Sequence, residues 1–343
     1  MKLNSGLKPL FLKYEHCLVC TLCPHLCKIH EGKSGICGVR KNTGENIELL
    51  TYGVLSAISL DPVEKKPLYH FFPGKNILSI GSFGCNMRCD FCQNWHISQN
   101  VTQKLSSDTS LEKIVSKALS AENNIGIAFT YNEPVIWFEF MRDVAVKVKE
   151  EGLYTAMVSN GYVNSDPLTE IIGFIDAFNI DLKAFNNDFY RKLTGADLEP
   201  VKNSLKQIRK AGKHLEITTL IIPGKNDKTT EMELEAKWIA DELGNDVPLH
   251  LSRYFPMYKR DDPPTPQSTL NSQYDVASKY LNNVYLGNTV SDAGQNSVCG
   301  NCGLMVTQRS GYKTILMNLD TEGNCTNCGK PVYRYFTSSS IKR

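Results

Sequence analysis

Between residues 76 and 254 the chain alternates short apolar runs with longer stretches in which apolar residues recur every three or four positions. The short runs, 76–82, 125–130 (IGIAFT), 153–159 (LYTAMVS), 175–181 (IDAFNID), 214–222 (HLEITTLII) and 247–254, predict β-strands. The stretches near 111–121, 134–151, 186–194, 199–211 and 230–243 predict helices, and six β/α units fit the region. A helix that carries the chain back to the starting edge lets the next strand lie parallel to the last. Tyr131-Asn132, Asn160-Gly161 and Pro223-Gly224 close three of these strands. Sites in parallel sheets form at strand C-terminal ends, where these residues fall.

The alternation is absent from residues 1–75 and 296–336, which predict two cysteine-bearing appendages around a core at 76–290. The stretch 256–273, rich in proline and charge, reads as a loop or lid, followed by a short helix at about 272–281. Net charge is +2 from 38 basic and 36 acidic residues. Nothing in that balance calls for nucleic acid. No run approaches the ~20 apolar residues of a membrane span, and the first residues lack a signal-peptide pattern, so the expectation is a cytoplasmic protein without a membrane partner.

Twelve cysteines fall into three groups, which in a reducing compartment read as metal ligands rather than disulfides. Cys85, Cys89 and Cys92 stand at C-x3-C-x2-C spacing directly after the first core strand. Zinc and cubane iron–sulfur sites fill four positions, so a triplet leaves one metal corner open, which suggests chemistry. Cys20, Cys23, Cys27 and Cys37 supply four thiolates and close a site of their own, structural zinc or an auxiliary iron–sulfur cluster, with Cys17 as the spare. Counting Cys17 instead gives C-x2-C-x2-C-x3-C, similar to a bacterial ferredoxin run but without its proline. Cys299, Cys302, Cys325 and Cys328 form two C-x2-C knuckles around a hairpin-like stretch, the pattern of a zinc ribbon, which could bind a partner as well as fold.

The triplet, with Phe91 before its last cysteine, resembles the radical S-adenosylmethionine (SAM) enzymes. That resemblance implies a partial (β/α)6 TIM-like barrel, a 4Fe-4S cluster on Cys85, Cys89 and Cys92, and SAM chelating the unique iron. Residues 74–290 are similar to the glycyl-radical-enzyme activases, such as pyruvate formate-lyase activating enzyme. Their Gly-Gly-Glu-Pro element matches Tyr131-Asn132-Glu133-Pro134, with both glycines replaced, and implies that Glu133, beside Asn132, holds the SAM amine. An acid in a helix's first turn, favoured by the helix dipole, is the bland alternative. Their Asp-Thr-Asn-Gly element matches Val158-Ser159-Asn160-Gly161, placing Ser159 and Asn160 near SAM, while Val158 removes the acid of a monovalent-cation site. Asp181 and Lys183 resemble the Asp-x-Lys near the SAM carboxylate; strand alternation puts them on one face, although a solvated surface pair has the same spacing. Ile221 to Asp227 resembles a further turn of that family.

The runs Asp61-Pro62-Val63-Glu64-Lys65-Lys66-Pro67-Leu68-Tyr69-His70-Phe71, Gln93-Asn94-Trp95 and Cys20 to Cys27 resemble the AmmeMemoRadiSam-system radical SAM proteins across nearly the whole chain. Glu64, Lys65, Lys66 and His70 either line the cavity mouth or form an exposed turn. His214 and His250 read as packed or hydrogen-bonded, and Tyr254 and Tyr258 as pocket edge or core. The resemblance implies reductive SAM cleavage to a 5′-deoxyadenosyl radical, with an electron donor such as ferredoxin or flavodoxin. The substrate is then a small molecule, or a partner protein in the activase version. A non-catalytic metal-binding interaction protein is the reading from another class.

Overall fold

The computed structural model describes residues 9–101, 109–289, 291 and 293–337. Eight strands form its central sheet and lie side by side in sequence order: β1 (Ala57–Pro62), β2 (Asn76–Gly81), β3 (Asn124–Phe129), β4 (Tyr154–Ser159), β5 (Ala177–Asp181), β6 (His214–Ile221), β7 (Leu249–Arg253) and β8 (Val284–Gly287). All neighbours pair in parallel except β1 and β2. The six predicted strands are present. Two edge strands extend beyond them, and β1 lies inside the segment assigned by sequence to the N-terminal appendage. Residues 57–62 therefore belong to the core sheet.

Strands such as Asn-Ile-Leu-Ser-Ile-Gly at β2 are buried almost throughout, as a sheet covered on both faces requires. The covering helices are α1 (Leu111–Ser120), α2 (Phe138–Glu150), α3 (Ser165–Phe174), α4 (Leu198–Lys210), α5 (Thr229–Glu242) and α6 (Gln267–Ala277). In α2, Met141, Val144, Ala145 and Val148 form the buried stripe, a spacing of three and four that packs one face on the sheet. Sequence periodicity missed α3, whose Pro167 sits in the first turn, where a missing N–H costs nothing. The helix predicted at 186–194 is one short α-turn followed by a π-turn. The last helix starts at Gln267, inside the stretch read as a loop.

The C-terminal segment is a three-stranded antiparallel unit, Ser297–Val298, Met305–Ser310 and Lys313–Leu316, with a small core of Cys299, Val306, Leu316, Leu319, Cys325 and Tyr333. It is docked on the core. Arg309, buried, donates to the Tyr69 carbonyl at 2.9 Å and to Ser297 Oγ at 2.8 Å.

Candidate active site

The strand ends converge on a cavity of about 410 Å³. Its lining includes Cys85, Cys89, Cys92, Phe91, Asn132, Glu133, Ser159, Asn160, Asp181 and Lys183, so the structure brings together every core residue the sequence nominated. The cysteine loop follows β2 and is held on several sides. Asn132 Nδ2 donates to the Gly84 carbonyl at 2.9 Å, and Asn132 Oδ1 accepts the Ser82 N–H at 3.0 Å. Asn160 Nδ2 donates to Asn86 Oδ1 at 2.9 Å and lies 3.8 Å from Cys85 Sγ. The Met87 N–H points at the same sulfur, 3.3 Å away. Farther along, the Arg88 and Asp90 N–H groups donate to the Thr194 and Leu193 carbonyls.

Glu133 is fully buried. Its Oε1 accepts from the Val135 N–H at 3.0 Å and from Ser159 Oγ at 2.7 Å, and its Oε2 accepts the Asn160 N–H at 2.8 Å. The acid thus caps the short 3-10 turn Pro134–Trp137 and ties β3 to β4. A carboxylate offers about four acceptor positions, so one on Oε2 is left for a donor from the cavity. Burial raises the Glu133 pKa to about 7 against the pull of these hydrogen bonds. A cation in the cavity would draw it back toward the carboxylate.

Ser159, Asn160 and Asn132 are expected SAM contacts by resemblance; what their hydrogen bonds show is that they position the loop and the acid. Asp181 and Lys183 form the expected pair at 2.9 Å. Burial pulls the Lys183 pKa down, but Asp181 and Cys89 outweigh it, so the side chain is firmly a cation. Cys89 is pushed up to about 12 by burial, with Lys183 opposing, and Cys85 is raised further still. Such thiols become thiolates only against an added positive charge, which a metal cluster supplies.

Tyr131 stands where the activase motif carries glycine and keeps the left-handed conformation, φ 71°. The strain is held by Asn94 Nδ2, which donates to the Tyr131 carbonyl at 2.6 Å, and by the Tyr131 hydroxyl on Asp61 Oδ2 at 2.8 Å. Lys66, buried, bonds the same Asp61 oxygen at 2.8 Å. Glu64, Lys65 and Lys66 line the cavity; His70 does not. It is half-buried behind the cavity, bonded to the Tyr285 hydroxyl at 2.6 Å. His250 does line the cavity, yet it serves Glu216, which it meets at 2.6 Å, while His214 meets the other oxygen at 2.8 Å. Tyr254 is core, and Tyr258 stacks on Trp95 with ring centroids 5.2 Å apart. The stretch read as a lid is pinned to the cysteine loop, through that stack and Arg260 on Asp90 at 2.9 Å.

Thr218, Ser252, Asn288 and Tyr312 also line the cavity and were not nominated. For Thr218 and Ser252, strand alternation was the available signal; for Tyr312, on the C-terminal unit, there was none.

A family model described as the radical SAM superfamily matches residues 79–236. An uncharacterized protein of Methanocaldococcus jannaschii, MJ0808, is 39% identical over 91% of this chain and 94% of its own length. The chain belongs to the radical SAM superfamily. A pyruvate formate-lyase-activating enzyme from Clostridium pasteurianum is 27% identical over 45% of this chain and 66% of its own length. Among solved structures, a radical SAM methyltransferase from Sphaerobacter thermophilus matches with a TM-score of 0.51 at 14% identity, covering 68% of this chain and 71% of its own, a likeness of fold.

Members of the superfamily use a 4Fe-4S cluster and SAM, and the central residues of this radical SAM protein fit both. The three thiols line one cavity, with the Met87 N–H and the Asn160 amide aimed at Cys85 Sγ, and one acceptor position of Glu133 and the Lys183 cation are of the right sign for an amine and a carboxylate. The C-terminal four fit a single ion instead. Their sulfurs all lie within 4.8 Å of one another, with Cys299–Cys328 and Cys302–Cys325 at 3.6 Å. Tetrahedral zinc with ~2.3 Å bonds to sulfur gives edges of about 3.8 Å. Among the described residues no other cysteine set is gathered so tightly.

Proposed function

We propose that this protein is a radical SAM enzyme whose cluster is held by Cys85, Cys89 and Cys92 and whose SAM lies between Glu133 and Lys183. The observation that supports this most directly is the convergence of the three thiols, the buried acid and the lysine on one cavity at the strand ends. When bound, the reduced 4Fe-4S cluster supplies one electron to cleave SAM and so a 5′-deoxyadenosyl radical that abstracts hydrogen from the substrate. The chain's own residues position and protect. Glu133 receives the amine, Lys183 receives the carboxylate, and Asn132 and Asn160 hold the loop in place for both. The Trp95–Tyr258 stack and the Arg260–Asp90 pair hold the 256–266 loop against the cysteine loop.

The substrate shares the cavity with SAM and meets its polar lining at Lys66, Thr218, His250 and Ser252. An activase acting on a glycyl-radical protein is a second reading, supported by the relatives that carry that name. In the activase version, incubation of a partner polypeptide with SAM and reductant gives a glycyl doublet in electron paramagnetic resonance; its absence counts against that version. In either version a ferredoxin or flavodoxin serves as electron donor. The test of the enzyme itself is formation of 5′-deoxyadenosine from SAM by the reduced protein.

A further inference from the structure

We propose that Cys20, Cys23, Cys27 and Cys37 hold a second 4Fe-4S cluster, placed to pass electrons to the cysteine loop of the active site. The four converge on one site. The Cys20 N–H donates to the Cys27 carbonyl at 3.0 Å and the Leu26 N–H to the Cys23 carbonyl at 3.1 Å, the Ile36 N–H beside Cys37 points at Cys27 Sγ, and Cys20, Cys23 and Cys37 are buried while Cys27 is half-buried. Cys17, three residues before Cys20 on the strand Cys17–Cys20, points to the opposite face and stays outside the set.

Spacing separates the N-terminal set from the C-terminal one. The C-terminal four are gathered within 4.8 Å, as one ion requires; among the described residues no three of the N-terminal four are, and neither are Cys85, Cys89 and Cys92. Like the central triplet, the N-terminal set is not drawn together as one ion requires, and a cluster, on which each thiolate would hold an iron of its own, suits it better. Its surroundings suit an anionic cluster. The Ile36 N–H donates to Cys27 Sγ at 3.5 Å, and the buried Arg40 lies within electrostatic reach of Cys20 and Cys37. Two nitrogens of that guanidinium are fixed on Glu139 at 2.8 and 2.9 Å, while its Nε has no hydrogen-bond partner. Hydrogen bonds to sulfur and nearby positive charge are the protein's means of tuning such a cluster's potential.

The two cysteine loops touch on both sides. His25, between Cys23 and Cys27, donates from Nε2 to the Asn86 carbonyl at 2.7 Å, next to Cys85. Arg88 donates to the Ile36 carbonyl. Gly84 takes φ 84° directly under the Cys37 carbonyl, where a Cβ would come within 2.5 Å of that oxygen, so only glycine allows the approach. Leu26 and Ile36, beside Cys27 and Cys37, are 50% and 37% exposed, so the half-buried Cys27 gives the quartet a surface edge of its own, apart from the cavity that the central triplet lines. One electron from a low-potential one-electron carrier reduces the outer cluster, which is reoxidised as it reduces the inner one, with no proton required. The relay rests on the central triplet being a cluster site; the outer site does not.

The test is metal content of the full-length protein after anaerobic reconstitution with iron and sulfide. Wild type should carry about eight irons, and the triple variant Cys85→Ala/Cys89→Ala/Cys92→Ala about four, with the spectrum of a 4Fe-4S centre. Zinc in place of that iron, or no iron in the triple variant, would overturn the outer cluster. If instead the triple variant kept all the wild-type iron, the central reading would fail while the outer one stood. For the relay, Cys23→Ser/Cys37→Ser should lower the ratio of flavodoxin-driven to dithionite-driven SAM cleavage at least about tenfold. An unchanged ratio overturns the relay, and the triple variant keeps the site testable if the double variant folds poorly.

Discussion

The Asn160 N–H donates to Glu133 Oε2 at 2.8 Å, and the Asn160 side chain reaches Asn86 in the cysteine loop at 2.9 Å. One residue at the end of β4 therefore sets both the buried acid and the sulfur-bearing loop. Asn160→Ala should weaken SAM binding and slow cleavage together, by about tenfold, because a loop left without these donors no longer presents Cys85 in register. Isothermal titration for SAM and a 5′-deoxyadenosine assay would show both effects; a loss of cleavage with unchanged SAM affinity would contradict a shared positioning role.

Glu133 gives a pH dependence with a defined sign. Its folded pKa of about 7 is raised by burial above the ordinary 4.5, so the folded protein holds this proton more tightly than the unfolded chain. Without SAM, stability from this group is present below about 4.5 and is lost as pH rises toward 7. An amine in the cavity favours the charged form, so SAM affinity should tighten from pH 6 to 8. In Glu133→Gln that pH dependence should be absent, which titrations at three pH values would check.

Glu216 accepts four hydrogen bonds: from the Tyr69 and His70 N–H groups at 3.0 and 2.8 Å, and from His214 and His250. Burial works against its charge, but the two histidines hold its pKa well below the usual carboxylate range. Stability from this group is present above the ordinary 4.5 and is lost as pH falls below it toward the folded value. Glu216→Ala leaves those donors unpaired in the interior and should cost about 3–5 kcal/mol in urea unfolding.

Much of this was legible in the sequence. Cys85, Cys89 and Cys92 announced themselves by spacing, and the six inner strands by their apolar runs. The edge strands were hidden for physical reasons: Val284–Gly287 is only four residues long, and Ala57–Pro62 is a half-exposed strand that ends in proline. Glu133 was nominated for its place in a motif; that its carboxylate already takes three protein donors depends on how β3 and β4 end side by side, which no local pattern records. Glu216 was invisible because its partners come from Tyr69, His70, His214 and His250, distant in the chain except for His214.

Breaking the C-terminal four-thiolate set should loosen the unit that carries Arg309 and Tyr312. Cys302→Ser should abolish zinc binding, leave iron content unchanged, and lower the melting temperature as the Arg309 to Tyr69 contact is lost. Iron and zinc analysis alongside a thermal melt would check this; a variant that retained zinc and its melting temperature would contradict a four-thiolate site.

The most direct test of the central claim is the fate of SAM. The anaerobically reconstituted, dithionite-reduced protein should release 5′-deoxyadenosine and methionine, and Cys92→Ala should release neither. Cleavage that survives Cys92→Ala, or a wild-type protein that carries the cluster and leaves SAM intact, would contradict the account.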